Sequence, residues 1–121
     1  MLVAFSVAPG TASSDDGSVH VAVAAAVAVV RASGLPNHTD AMFTTIEGEW
    51  DEVMDVVRRA TLAVQEFSPR VSLVLKADIR PGYTDQLTAK VARVEEALAA
   101  APAPSPAPSP APAPSPSPAP R

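Results

Sequence analysis

The chain contains no cysteine. That excludes a disulfide framework, a thiolate nucleophile and a zinc ribbon, so the fold must rest on its apolar core. An excess of positive charge is also missing. Nine Lys and Arg stand against thirteen Asp and Glu, a net charge of −4. The cations Arg58, Arg59, Arg70, Lys76, Arg80, Lys90 and Arg93 are interleaved with acids and form no stripe. A phosphate backbone is therefore a poor partner, and no nucleic-acid role is expected. Long hydrophobic runs are lacking as well. The longest, Val19 to Val30, is about a dozen residues and includes His20, too short for a ~30 Å hydrocarbon layer. The apolar start, Met1 to Ala8, has no basic flank and breaks at Pro9-Gly10, unlike a signal peptide. A soluble cytoplasmic protein without a membrane partner is the expectation.

Proline, by contrast, is abundant and localised. From Pro102 to Pro120 it occupies every even position, with only Ala and Ser between and Arg121 at the end. Such a tract has no large side chain to bury and cannot offset its ordering entropy, so an extended, disordered polyproline II tail is expected over 101–121. A spacer, or a ligand for an aromatic groove, is the functional reading; a tolerated low-complexity extension is the plainer one, since the tract carries no internal charge to orient docking. The remaining residues, 1–100, suffice for one domain with one core.

Along that domain, Leu2 to Val7 alternates as a strand, with Val3, Phe5 and Val7 on one face. Ser18 suits an N-cap, Gly34 a C′ position and Pro36 a stop, so Val19 to Ser33 reads as a helix with Val19, Val23, Ala26, Val27 and Val30 as its stripe. Leu35 to Glu47 reads as a hairpin whose second strand is Met42 to Glu47. After Gly48, the acids Glu49, Asp51 and Glu52 suit the positive end of a second helix. Its buried face is Trp50, Val53, Met54, Val57 and Val64, with an Asp55–Arg59 pair outside. Arg70 to Ile79 alternates as a strand with one covered face. Thr84 suits the cap of a third helix with the stripe Leu87, Val91, Val94 and Leu98. The order β-α-β-β-α-β-α is that of an α+β ferredoxin-like split βαβ fold plus one C-terminal helix, an antiparallel sheet with helices on one face.

Alternation then sorts the strand residues. With Val3, Phe5, Val7, Met42, Thr44, Ile46, Leu73 and Leu75 toward the helices, the open face carries Ser6, Phe43, Thr45, Glu47, Ser72, Val74, Lys76 and Asp78. An uncovered sheet bearing Phe43 and Val74 invites a second copy. Its carboxylates, hydroxyls and aromatic ring suit a flat, amine-bearing heterocycle. Catalysis is not expected: no histidine, cysteine or serine nucleophile with a base stands beside Glu47, Lys76 and Asp78, which also suit a plain ion pair. His20 and His38 lack a carboxylate at i+3 or i+4, so no metal site is expected. The loop Pro9 to Ser18 matches the place of an acylphosphatase anion cradle, but it lacks arginine, and Asp15 and Asp16 would repel phosphate.

The run Thr44-Thr45-Ile46-Glu47-Gly48-Glu49-Trp50-Asp51-Glu52-Val53 resembles the T-x-I-E-G-(D/E)-W-D-E-V signature of a small thiamine-binding family. Ser33-Gly34-Leu35 and Lys90-Val91 match more weakly, and the likeness spans about residues 2 to 98. The resemblance implies a ferredoxin-like fold, homodimers or homotetramers built through the sheets, and binding of thiamine or its hydroxymethylpyrimidine half without catalysis and without any other cofactor. It further implies a role in thiamine supply or salvage. Thr44 and Glu47 fall on signature positions, Glu47 as acceptor for the amino group of the pyrimidine. Phe43 stands where the family pattern has a small residue, so its ring either stacks on the pyrimidine or fills its space. The expected ligand set is Ser6, Phe43, Thr44, Thr45, Glu47, Lys76 and Asp78. The alternative is a structural or regulatory oligomer that has kept this core and lost its ligand.

Overall fold

A computed structural model describes residues 1–10, 19–102 and 104–119. The expected Ser18 cap, and residues 11–18 of the cradle loop with Asp15 and Asp16, lie outside the described residues. Four strands and three helices form: β1 (Leu2–Pro9), α1 (His20–Ala32), β2 (Asn37–Thr39), β3 (Thr44–Glu47), α2 (Trp50–Gln65), β4 (Val71–Asp78) and α3 (Gln86–Ala100). The sheet order is β2-β3-β1-β4 with every neighbouring pair antiparallel, the ferredoxin-like split βαβ arrangement that the element order implied. Residues 104–119 have no regular secondary structure and are exposed.

The strict alternation of β1 sends Val3, Phe5 and Val7 into the core with Ile46 of β3. Helices α1 and α2 cover this face. In α1 the buried line is Ala22, Ala26 and Val30, so Ala26 and Val30 of the expected stripe face the core while Ala22 takes the place expected of Val23 and Val27. Alanines let α1 approach α2 closely, and this turns Val23 and Val27 half outward. Helix α2 buries Val53, Val56, Val57, Ala60 and Val64. Glu52 reaches back to accept the Glu49 N–H at 3.3 Å, closing the first turn. On its outer face Asp55 pairs with Arg59, as expected, and also with Arg58, each at 2.9 Å.

Four expectations about packing are corrected. Trp50 is 54% exposed rather than core, because it opens α2 ahead of the first buried turn and lies beside Met1, Ile79 and Tyr83 at the sheet's end. Strand β4 pairs only with β1, and as an edge strand it leaves Leu73, expected toward the helices, about half exposed, while Val74 is exposed as expected. The cap of α3 is Asp85, in the left-handed region at φ 58°, and not Thr84, whose carbonyl instead accepts from the Gln86 amide. Finally, α3 does not join α1 and α2. It lies against the opposite face, over Leu2 and Thr45, so that face is only partly open, and its stripe of Val91, Val94 and Leu98 stays exposed.

Candidate functional site

Register fixes what the second face presents. Thr45, Ala4 and Lys76 stand in one row across β3, β1 and β4, and Glu47, Leu2 and Asp78 in the next. Ser6 stands opposite Val74 on the side of the first row away from α3's N-terminus. Between this floor and α3 runs a groove of about 790 Å³, lined by Leu2, Asn37, His38 and Thr45 below and by Leu87, Lys90, Val91 and Glu95 of α3 above. Its size falls within the ~300–1,000 Å³ of small-molecule sites. Hydroxyl, amide and imidazole groups meet apolar walls there, with Glu95 as a carboxylate at the rim.

Five expected site residues thus share one face, in three different roles. Thr45 lines the groove directly. Glu47 lies beneath the start of α3, 7% exposed, and its carboxylate accepts the backbone N–H of Gln86 at 2.7 Å and of Leu87 at 3.4 Å. These are first-turn donors without intrahelical partners, and the carboxylate also sits at the positive end of the helix. Gln86 is itself 9% exposed and accepts from Arg93 at 2.6 Å. Asp78 pairs with Lys90, a second tie between sheet and helix. Lys76 and Ser6 stand on the open part of the face outside the groove lining.

Two expected residues lie elsewhere. Thr44 is buried on the helix-covered side, its hydroxyl 3.2 Å from that of Thr39. Phe43 is not on the open face, because Asp40 makes a turn that takes Met42 and Phe43 out of the strand. The Asp40 carboxylate accepts the N–H of Met42 at 2.8 Å and of Phe43 at 2.9 Å, and these bonds hold its pKa below the ordinary aspartate value. Phe43 therefore lines a smaller crevice of about 200 Å³ with Phe5, Val7, Val23, Val27 and Met42 on the α1 side, and Met42 is 73% exposed instead of inward.

Sequence reasoning missed Asn37, His38, Leu87, Lys90, Val91 and Glu95 as groove residues. The weak family match at Lys90-Val91 was the one signal pointing to α3. Among the described residues no group of three or more His, Cys, Asp or Glu could hold a metal ion, and no helix is long and apolar enough to cross a membrane.

The profile of the thiamine-binding protein family matches residues 3–95, through both sheet faces and most of α3. The chain belongs to the thiamine-binding protein family. A protein of Mycobacterium bovis named only as UPF0045 is 57% identical over 99 residues, covering 81% of this chain and 94% of the relative. Among solved structures, a hypothetical protein of Methanocaldococcus jannaschii superposes with a TM-score of 0.69 at 27% identity, over 78% of this chain and 95% of that one. A Thermotoga maritima protein, whose name assigns it provisionally to thiamine biosynthesis or salvage, gives 0.63 at 27% identity, over 76% and 97%. The family is thus one of binding proteins, and thiamine is the small molecule its name attaches to this fold.

Proposed function

We propose that this chain binds thiamine, or its hydroxymethylpyrimidine half, without chemistry, in the groove between α3 and the sheet, and serves thiamine supply or salvage. The observation that carries the reading is the groove itself, on a chain whose family is named for thiamine binding. Leu2, Leu87 and Val91 offer apolar contact to a flat ring, while Thr45 and His38, neighbours across β3 and β2, can pair with the polar edge of an aminopyrimidine. Glu95 favours the cationic thiazolium, and Lys90 is neutralised by Asp78, so the groove holds little to repel that charge. His38 and Thr45 are cross-strand neighbours in the groove, but among the described residues no hydrogen bond joins the imidazole to the hydroxyl, which is why binding without turnover is the reading.

The partly uncovered sheet and the exposed α3 stripe also support self-association, as a homodimer or homotetramer through the sheet. A second reading, an oligomer that has lost its ligand, is favoured by the Glu47 carboxylate being occupied by backbone donors instead of free for a pyrimidine. Calorimetry of the full chain separates the two. Thiamine or hydroxymethylpyrimidine should give saturable heat, and Thr45→Leu, which fills the groove, should weaken it at least about tenfold. No heat at millimolar ligand leaves the oligomer reading.

A further inference from the structure

Helix α3 forms one wall of the groove, yet little apolar surface holds it there. From Lys90 to Ala100 every residue of α3 is exposed. Its attachment is concentrated at its first turns, in two polar ties. The carboxylate of Glu47, buried on β3, takes the N–H groups of Gln86 and Leu87, and Asp78 of β4 pairs with Lys90. Leu87 and Lys90 both line the groove, so the ties that fix these residues also fix its width. A carboxylate that is 7% exposed and aimed at two backbone donors 39 and 40 residues away is poorly placed to take a ligand's amino group as well.

We propose that Glu47 is a positioning residue: it does not touch the ligand but latches α3 over the groove, and so sets ligand affinity through the helix. The ligand part of this inference rests on the binding function proposed above; the latch itself does not. By linkage, a ligand seated between sheet and helix must in turn steady α3.

Amide hydrogen exchange on the full chain, with and without thiamine, tests this. In Glu47→Ala, the amides of α3 should exchange roughly tenfold faster without ligand, the factor for one hydrogen bond of about 1.4 kcal/mol, while those of β1 and α2 are unchanged. Glu47→Gln keeps one acceptor oxygen and should recover part of the protection. Asp78→Asn, which leaves the first-turn bonds intact, should loosen α3 less. Thiamine affinity should fall in the same order as α3 protection across these variants, and saturating thiamine should slow α3 exchange in the parent chain. Unchanged α3 exchange in the Glu47 variants overturns the latch, and an affinity lost without faster exchange assigns Glu47 to direct contact. Should Glu47→Ala fail to fold, Glu47→Gln and Asp78→Asn give the same reading. Faster α3 exchange in the Glu47 variants, with a parent chain that takes up no thiamine, supports the latch and refutes the proposed ligand instead.

Discussion

The two faces of the sheet are held in different ways. Toward α1 and α2, Val3, Ile46, Val30, Val53 and Val64 are wholly buried, and apolar packing dominates this layer. Toward α3, a buried carboxylate and an ion pair anchor a helix whose apolar stripe remains in solvent. Apolar burial is roughly proportional to area and has no direction, so it builds a stable but inflexible layer. Directional polar ties cover little surface, and they can hold a wall beside a cavity without filling it. The contrast teaches that the first face is the scaffold, and it places the proposed ligand on the second.

Substitutions can break that contrast or sharpen it. The largest effect is expected at Ile46, fully buried at the centre of the scaffold: Ile46→Ala should cost about 2–5 kcal/mol in denaturant unfolding. Gly48 comes next. A Cβ there would lie 3.1 Å from Val53 Cγ2 and 3.5 Å from Leu35 Cδ1, so Gly48→Ala should cost about 1 kcal/mol through overpacking. On the other face, Val94 is 57% exposed, and Val94→Ser should shift stability by less than about 0.5 kcal/mol at dilutions where the chain is monomeric. A larger loss that appears only at concentrations where copies associate would show that a second copy covers the stripe.

The smallest effects are expected outside both faces. The pKa of Asp55 is lowered by its hydrogen bonds to Arg58 and then Arg59, and that of Asp40 by the backbone N–H groups of Met42 and then Phe43. Both groups therefore contribute stability that is present above the ordinary aspartate pKa and lost as pH falls through their lower native values. Because both are exposed, Asp55→Asn should flatten only the acid end of a stability–pH profile, below the normal carboxylate range, and leave neutral pH nearly unchanged. Truncation after Ala101 should alter neither ligand binding nor oligomeric state, which titration and sedimentation would check. The tail is also poorly matched to grooves that read prolines three residues apart. Its prolines from Pro102 to Pro120 fall only on even positions, so no two within the tract have that spacing.

What could be read from sequence follows the same division. The alternation of Val3, Phe5 and Val7, and the helical spacing of Val53, Val57 and Val64, are local signals that one buried face imposes, and they gave the fold. The periodicity of α3 was equally clear, but a stripe does not say what covers it. The second face escaped because its contacts are distant: Glu47 meets Gln86 across 39 residues, and nothing local marks a glutamate as the cap of a remote helix. Phe43 was misplaced for a local reason, since the Asp40 turn competes with strand pairing and removed two residues from an otherwise regular alternation. Trp50 was misplaced because helical spacing with Val53 and Val57 holds equally for a residue one turn beyond the edge of the core.

The most direct test of this account is a crystal structure of the full chain grown with thiamine. The predicted result is the pyrimidine ring seated between Thr45 and the Leu87–Val91 side of α3, with the Glu47 carboxylate still bound to the N–H groups of Gln86 and Leu87. Thiamine seated instead in the crevice of Phe43 and Val23 on the α1 side, or on a Glu47 released from α3, would contradict it.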